Sequence, residues 1–588
     1  MIINAKIAMF LAAAGVVTAG ALIRLERRKL AGLVLFLALA SCAPSIFWPT
    51  LMELRKDARG LRRVPPATLE RDCFKLSVPL GLLLGLVAAF RTGDRSGRKR
   101  QWDAPRSAGD TDKALARILD GEPSKDGTLL GAANGGVCVA VTDKEREAHM
   151  QIVGPSGAGK SQLLFALSGQ DMKRGMPVFF MEAKGDSSDF DQFLKLAEKA
   201  GRRADVRYFN PQDPRSMTFN PIRRLPGQDV TAVTNQLARA IGREPTSTGE
   251  GQDYYRSLDY ARMLHMIEVF CATGREFTLK DCLHYFSAEK ARQKAFDLCK
   301  DSRLVDAAWA DFKQGTDTTA LTSALAPWTT GELGRLLNNC SPDIRLEDVF
   351  DERQLAYMAV PVGHLQMLAN PLGRMMISGL LSVAAARQKQ QPKPRAASVI
   401  LDEFAEFATP VFASFIATVR SARFWTILSH QDLGQLKRIE GMSPEAFRSA
   451  VFANTSGCKV CFRTPDPEDA KFWAATLGTF TTHKDTEQMT KSWAGESRTG
   501  VVSRRAGEEF KVHPNLLKNL TPGTALIYSA GRLECLAKTA RVATLLDHAQ
   551  TPNLEAPKSA ESAGLDLESA VDAGSLPKLD KEGRIIAR

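Results

Sequence analysis

The residues with the clearest potential for chemistry are eight consecutive positions that match the pattern G-x-x-x-x-G-K-[ST]: Gly154, Pro155, Ser156, Gly157, Ala158, Gly159, Lys160 and Ser161. A strand-like run at 149–153 precedes them, and a helical pattern at 162–167 follows. In this setting the glycines let successive backbone N–H groups surround phosphates, and the helix N-terminus favours their negative charge. We predict that these residues bind ATP, that Lys160 reaches its β- and γ-phosphates, and that Ser161 ligates Mg²⁺.

Two adjacent carboxylates form the second chemical feature. The apolar run 398–401 has the composition of a buried strand, and Asp402 and Glu403 follow it directly. Ligands bind at the carboxyl ends of the strands in open α/β sheets, so we expect this pair to lie beside the phosphates, as a Walker B motif. Asp402 is predicted to hold Mg²⁺ through water, and Glu403 to polarise the attacking water as general base. The alternative is an acidic pair that only stabilises the start of a helix.

Polar residues also flank another strand-like run, at 424–429. Gln431 follows this run, and we predict that its amide senses the γ-phosphate; the alternative is a solvent-facing glutamine. Arg420 and Arg423 precede the run and are candidate arginine fingers, which would reach the nucleotide of a neighbouring subunit. Basic residues at a helix C-terminus are also ordinary partners of the helix dipole. The residues alone therefore do not choose between the two arginines.

These motifs need a sheet that brings several strand ends together. From about residue 103, apolar runs rich in Val, Ile and Phe alternate with helical patterns, which predicts an α/β fold with a largely parallel sheet. Between 253 and 339 the strand pattern is absent and apolar residues recur at three- and four-residue spacing. This spacing predicts an all-helical insertion. Beyond 546 the chain is rich in Ala, Ser, Asp, Glu and Pro, a composition typical of a disordered tail.

The N-terminal region differs from the rest in charge and hydropathy. Apolar stretches at 7–23 and 30–52 approach or exceed the length that crosses a bilayer, and a shorter stretch lies at 76–90. Seventeen basic and seven acidic residues within 1–105 account for most of the net charge of +12. The basic character therefore indicates loops that flank membrane segments and contact anionic lipid, and by itself indicates no nucleic-acid surface. We predict two or three transmembrane helices; either number breaks the positive-inside rule once.

The chain is accordingly predicted to have five parts. They are a membrane anchor at 1–102, the first part of a nucleotide-binding domain with the Walker A motif at 103–252, an all-α inserted domain at 253–339, the second part of the nucleotide-binding domain with Walker B and sensor at 340–546, and a disordered tail at 547–588.

Taken together, these features resemble a known family. The chain resembles the type IV secretion coupling proteins of the TraD/TraG type, which are membrane-bound relatives of the FtsK and HerA translocases. The resemblance rests on the N-terminal membrane hairpin and on six segments: GPSGAGKS at 154–161, FFMEAKGD at 179–186, FNP at 219–221, VILDEFAEF at 399–407, RSARFWTILSHQ at 420–431 and FANTSGCKVCFR at 452–463. Family members commonly have Asp-Pro where this chain has Glu182-Ala183, so Glu182 receives no role here.

The resemblance implies a RecA-like P-loop NTPase domain with an inserted all-α domain, N-terminal transmembrane helices, and a homo-hexamer around a central channel. It implies an inner-membrane protein, multi-pass, whose ATPase domain lies in the cytoplasm and hands a relaxase–DNA complex, with single-stranded DNA in the channel, to the components of a secretion channel. In the family the arginine finger stands eleven residues before the sensor glutamine. That spacing selects Arg420 over Arg423 for this chain.

Three other functions are compatible with the motifs. A chromosomal DNA translocase of the FtsK kind is expected to end in a folded winged-helix module, for which the tail after Leu546 offers no room. A coupling receptor that mainly docks protein effectors would have the same ATPase motifs with ATP turnover secondary. A membrane ATPase unrelated to DNA would hydrolyse ATP at a rate that DNA does not change.

Overall fold

The computed structural model describes most of the chain after the predicted membrane anchor. The described residues are 109–121, 127–134, 136–244, 252–312, 316–390, 394–437, 443–492, 495–529, 533–546, 564–570, 578–579 and 585–586. The predicted anchor, 1–102, lies outside them. Within the described residues, none of the helices is both long enough and apolar enough to cross a bilayer. Residues 104–588 form one compact unit.

An eleven-stranded mixed sheet forms the centre of this unit, in the order β2-β1-β13-β12-β9-β3-β8-β7-β4-β6-β5. Its strands are β1 Thr128–Ala133, β2 Cys138–Val141, β3 Met150–Val153, β4 Val178–Glu182, β5 Val206–Phe209, β6 Leu355–Ala359, β7 Ala397–Leu401, β8 Phe424–His430, β9 Cys458–Cys461, β12 Thr524–Ser529 and β13 Leu533–Thr539. The seven strands from β9 to β5 are parallel to one another. The strands β12, β13, β1 and β2 extend the sheet through antiparallel pairs. The predicted α/β fold with a largely parallel sheet is confirmed.

The described residues contain nineteen α-helices, some of which cover the two faces of the sheet. They are α1 Gly109–Asp120, α2 Asp143–Glu147, α3 Lys160–Lys173, α4 Ser187–Lys199, α5 Val230–Ala240, α6 Gln252–Ala272, α7 Leu279–Ser287, α8 Glu289–Leu298, α9 Ser302–Ala310, α10 Thr319–Leu325, α11 Gly331–Leu337, α12 Leu346–Asp351, α13 Val362–Leu365, α14 Ala369–Gln390, α15 Pro410–Thr418, α16 Pro444–Asn454, α17 Pro467–Leu477, α18 Pro514–Lys518 and α19 Ala543–Leu546.

The central strands are apolar on both faces because helices pack on both. On β4, Phe179 and Met181 belong to one hydrophobic core, whereas Val178 and Phe180 belong to the other. The second core is completed by α1, α3 and α4, and the first by α5 and the helices that follow it. This packing on both faces of the sheet fixes the strand ends, where the motifs lie.

The region between α5 and β6 contains helices and short turns in its described residues, in agreement with the periodic pattern at 253–339. Met263, Met266 and Phe270 of α6 are fully buried in the same core as the sheet residue Phe179. The helical region thus shares a continuous hydrophobic core with one face of the sheet. The predicted domain boundaries stay predictions.

Two segments near the C-terminus depart from the simple α/β pattern. The strands β10 Thr479–Ser492 and β11 Gly495–Phe510 pair with each other as a long antiparallel hairpin outside the main sheet. Within the predicted disordered tail, 547–588, the segment Gly564–Ala570 packs on the helical region instead of lying free. The reason is that Leu565 and Leu567 are both fully buried, and a composition averaged over the tail hides two such residues. The remaining two strands are β14 Lys578–Leu579 and β15 Ile585–Ile586, which pair with each other.

Candidate nucleotide-binding site

The loop between β3 and α3 has the conformation that the P-loop pattern requires. Gly157 and Gly159 have φ values of 73° and 111°, in the left-handed region that side chains disfavour. Ser156 and Gly157 are exposed, so the tip of the loop faces solvent. The helix α3 begins at Lys160, which places its unpaired N–H groups next to the loop. This arrangement can bind phosphates.

The C-terminal strands support the P-loop from behind. The N–H of Gly523, one residue before β12, donates to the Ala158 carbonyl at 2.9 Å. A side chain at Gly159 would place its Cβ 3.3 Å from both the Gly523 Cα and the Phe462 ring. Phe462 directly follows β9 and is fully buried. The loop therefore depends on residues that lie about 300 to 360 positions later in the chain.

The ammonium group of Lys160 lies between the start of the P-loop and Glu403. This group donates to the Gly154 carbonyl at 2.6 Å and lies 3.4 Å from the Pro155 carbonyl. The same nitrogen is 3.5 Å from Oε1 of Glu403, and both side chains are almost fully buried. The structure thus brings the predicted phosphate-binding lysine and the predicted general base into one ion pair.

The two carboxylates of the predicted Walker B motif follow β7 at the carboxyl edge of the sheet. Asp402 is buried, and its N–H donates to the Met181 carbonyl of β4 at 2.8 Å. Glu403 has φ 51° and ψ 41°, a left-handed conformation that costs a non-glycine residue roughly 1–2 kcal/mol. Strain of this kind is found at functional sites, where surrounding structure holds the residue in place. Glu403 stands at the N-cap position of a short 3-10 helix, Phe404–Phe407, but its side chain makes no capping hydrogen bond.

The surroundings of Glu403 suit a proton acceptor. Burial raises the pKa of its carboxyl, although the charges of Lys160 and Lys184 act in the opposite direction. Oε1 accepts a hydrogen bond from the Gln431 amide at 3.4 Å. Oε2 is buried and has no hydrogen-bond partner among the described residues. This oxygen can accept a hydrogen bond from a water molecule beside the phosphates.

Gln431 directly follows β8, the strand between β3 and β7. The carboxyl ends of these three parallel strands meet at one edge of the sheet, so the P-loop, Gln431 and Glu403 lie side by side. The backbone N–H of Gln431 donates to Oε1 of Gln435 at 2.9 Å, which fixes the turn after the strand. Lys160, Glu403 and Gln431 are thereby joined in a single network.

The two candidate arginine fingers lie at the opposite edge of the sheet. Both precede β8, whose seven residues span about 23 Å, so neither can reach the nucleotide site of its own subunit. Arg423 is half-buried and paired with Glu147 at 2.9 Å. Arg420 is exposed, and among the residues that the structure describes none forms an ion pair with it. Of the two, Arg420 is the one whose guanidinium is exposed and outside the ion pairs of the described residues.

Two residues of this site were not predicted. Glu182 ends β4, and its carboxylate accepts hydrogen bonds from the N–H groups of Lys184 and Gly185 at 2.5 and 2.8 Å. Burial raises the pKa of Glu182 to about 7, against the opposing effect of those two N–H groups. The departure from Asp-Pro at 182–183 was the sequence signal: the longer side chain folds back to cap the loop that follows. This cap positions Lys184.

Lys184 lies between the two predicted magnesium ligands. Its ammonium group is 3.2 Å from the Ser161 hydroxyl and 3.7 Å from Oδ2 of Asp402. A cation therefore already bridges a hydroxyl and a carboxylate, the oxygen donors that Mg²⁺ prefers beside phosphates. The residues present fit Mg²⁺, which Ser161 and Asp402 would hold.

Comparison with known proteins places this site in a family context. Residues 397–519, which begin at β7 and include Glu403 and Gln431, match the family described as the TraM recognition site of TraD and TraG. The type 4 coupling protein DotL of Legionella pneumophila is 21% identical over 450 residues. The chain is similar to the type IV coupling proteins over these residues. The match covers 66% of this chain and 56% of DotL, so the chain spans about half the length of the curated protein that it matches.

Solved structures that are similar to this chain include the plasmid coupling protein TrwB in complex with ADP and Mg²⁺. It shares 17% sequence identity with a TM-score of 0.45, over 77% of this chain and 94% of that one. VirB4 of Thermoanaerobacter pseudethanolicus shares 15% identity with a TM-score of 0.44, over 71% of this chain and 96% of that one.

Proposed function

We propose that this chain is an ATP-hydrolysing coupling protein that moves DNA, as a relaxase–DNA complex, into a type IV secretion or conjugation channel. The supporting observation is the convergence of Lys160, Glu403 and Gln431 beside a P-loop at one edge of the sheet. The proposed protein is a homo-hexamer of RecA-like domains, held in the inner membrane by residues 1–102, with its ATPase domain in the cytoplasm. Single-stranded DNA is the proposed cargo of its central channel.

In this proposal each residue has one task in hydrolysis. The P-loop N–H groups and Lys160 bind the phosphates, and Gln431 orients the attacking water. The water oxygen bonds to the γ-phosphorus, the bond between that phosphorus and the β–γ bridging oxygen breaks, and one water proton passes to Glu403. A raised pKa makes Glu403 a stronger proton acceptor than an ordinary carboxylate. Bound Mg²⁺, held by Ser161 and Asp402, supplies positive charge that neutralises the phosphates.

Lys184 provides a prediction about the metal. Its ammonium group must leave the position between Ser161 and Asp402 before Mg²⁺ can bind there, because two cations cannot share these ligands. We expect Lys184→Met to lower the Mg²⁺ concentration that half-saturates binding of a fluorescent ADP by about threefold or more, since a neutral side chain no longer competes.

The matched control is Lys199→Met, because Lys199 pairs with Asp120 far from the site. It should leave the Mg²⁺ dependence of ADP binding unchanged. A half-saturating Mg²⁺ concentration that is the same or higher in Lys184→Met than in the native protein would show that Lys184 does not compete with the metal.

DNA-stimulated turnover tests the proposed function. We expect ATP hydrolysis by the full chain in detergent or lipid nanodiscs to rise several-fold on addition of single-stranded DNA, because translocation couples the two. The same preparation of the Lys160→Ala variant measures any contaminating ATPase. Double-stranded DNA of the same sequence tests the proposed preference. If neither DNA changes the rate of ATP hydrolysis, the chain is still an ATPase but the proposed movement of DNA is refuted.

A further inference from the structure

The segment Gly564–Ala570 lies on the helical region as a short peptide lies in a binding groove. Seventeen residues separate it from Leu546, the last residue of α19. The groove is formed by the start of α7, by α8 and by the nearby Glu276 and Cys340, and we call it the tail groove. The segment that fills the tail groove therefore belongs to this chain, but it is not part of the sheet or of the nineteen helices.

Backbone contacts fix the peptide in one register. Gly564 pairs with Glu276 in a parallel β-bridge, and the N–H of Leu565 donates to the Glu276 carbonyl at 2.8 Å. The N–H of Leu567 donates to Oδ1 of Asp281 at 2.9 Å. A side chain at Gly564 would place its Cβ 2.7 Å from the Cys340 sulfur, so this position accepts only glycine without rearrangement.

Asp281 shows that the groove is built to receive such a donor. Its Oδ2 is used within its own helix, where it accepts from the N–H and the hydroxyl of Thr278 as part of a capping box. Its Oδ1 accepts from the N–H of Leu567. Asp281 is only 4% exposed with the peptide in place, and removal of the peptide takes away the partner of Oδ1.

Side chains of the peptide contact both apolar and basic parts of the groove. Leu565 and Leu567 are fully buried in the core that includes the helical region. Lys294 donates to the Asp566 carbonyl at 2.5 Å and to the Ser569 hydroxyl at 2.6 Å. Lys280 forms an ion pair with Glu568 at 2.6 Å. The groove thus fits the sequence Gly-Leu-Asp-Leu-Glu-Ser by the small size of the glycine, by burial of the leucines and by the positive charge of the lysines.

The size of this contact argues for reversible binding. Two buried leucines and a few polar contacts must offset the conformational entropy of ordering seven residues, so the untethered peptide is expected to bind only moderately. A tether of seventeen residues raises the effective concentration of the segment to the order of millimolar, which keeps the groove filled.

We propose that the tail groove is a recognition site for acidic, leucine-containing peptides, and that the chain's own C-terminal segment is its tethered, displaceable ligand. Proteins that carry a matching segment gain access only by competing with the tail. The proposal does not depend on ATP hydrolysis or on DNA as cargo, because every contact lies in the helical region.

Competition in the full chain tests this proposal. A fluorescent peptide with the sequence of residues 562–572 is titrated with the full-length native protein and with the full-length Leu565→Glu/Leu567→Glu variant. We expect the variant to bind the peptide at least about tenfold more tightly, because its own tail no longer fills the groove. In the variant background, Lys280→Glu should abolish binding, whereas Lys300→Glu, at an exposed position two residues after the end of α8, should not.

Further measurements distinguish the other outcomes. Gly564→Val, which removes tail docking by steric clash alone, should reproduce the tighter peptide binding if the double variant folds poorly. A variant that binds the peptide no better than the native protein, or binds equally a peptide with both leucines replaced by Glu, overturns the proposal. Competition in the native protein that increases with protein concentration would also overturn it, because the tail would then come from a second copy.

Discussion

Replacing Glu403 with Gln is expected to lower ATP turnover by a factor of about 10² to 10⁴ while ATP still binds. The amide keeps the size of the carboxyl group and can still contact Gln431, but it cannot accept a proton from water. The P-loop and Lys160 are not altered, so the affinity for a fluorescent ATP analogue should stay within about threefold of the native value. Steady-state hydrolysis and equilibrium binding of the same preparation measure the two quantities.

Glu406 offers the matched control for this variant. It lies three residues later in the same turn, is partly exposed, and makes no contact with Lys160 or Gln431 in the described residues. Glu406→Gln should therefore retain most of the turnover. If Glu403→Gln hydrolyses ATP at the native rate, Glu403 is not the general base and the Walker B interpretation of residues 398–403 fails.

Replacing Arg420 with Ala is expected to reduce hydrolysis by about 10³-fold or more and to leave nucleotide binding unchanged. The reason is geometric: Arg420 lies about 23 Å from the nucleotide edge of its own subunit, at the far end of β8. If Arg420 takes part in hydrolysis, it must therefore act on a nucleotide bound by another subunit. Arg423→Ala should have a much smaller effect on hydrolysis, because Arg423 is already paired with Glu147.

Mixing two inactive variants tests the action of Arg420 across an interface. In assemblies of Arg420→Ala and Lys160→Ala subunits, some interfaces pair an intact Lys160 with an intact Arg420, so hydrolysis should partly recover. Activity of the native protein should also rise with protein concentration as rings form. Normal hydrolysis by Arg420→Ala alone, or no recovery in any mixture, would exclude the trans-acting role and make Arg423 the next candidate.

The parts of the site that lie within one local motif could be predicted from the sequence. The P-loop pattern and the apolar run before Asp402 each depend on a few consecutive residues. The largely parallel sheet follows from the alternation of apolar runs with helical patterns along the chain. Gln431 was predictable because its strand neighbours the one that bears Glu403. The position of Lys184 was not, since its ammonium group meets Ser161 and Asp402 only after three separate strands are ordered in the sheet.

Long-range partners set the limit elsewhere too. No local pattern shows that Arg423 is paired with Glu147, because the two residues are 276 positions apart. The family spacing selected Arg420, and the ion pair of Arg423 supports the same choice for an independent physical reason. For Gly564–Ala570, composition indicated a tail without structure. The docking of this segment depends on two leucines and on a groove whose hydrogen-bonding residues lie at least 272 positions earlier in the chain.

The support that β9 and β12 give to the P-loop has a consequence for synthesis of the chain on the ribosome. The Walker A sequence emerges early, but Phe462 and Gly523, which hold its loop, emerge some 300 to 360 residues later. A nascent chain of 450 residues therefore contains the P-loop, Glu403 and Gln431 but lacks Phe462 and Gly523, which support the loop. We expect the growing polypeptide to gain nucleotide affinity only near the end of translation, so that unfinished or truncated copies do not consume ATP.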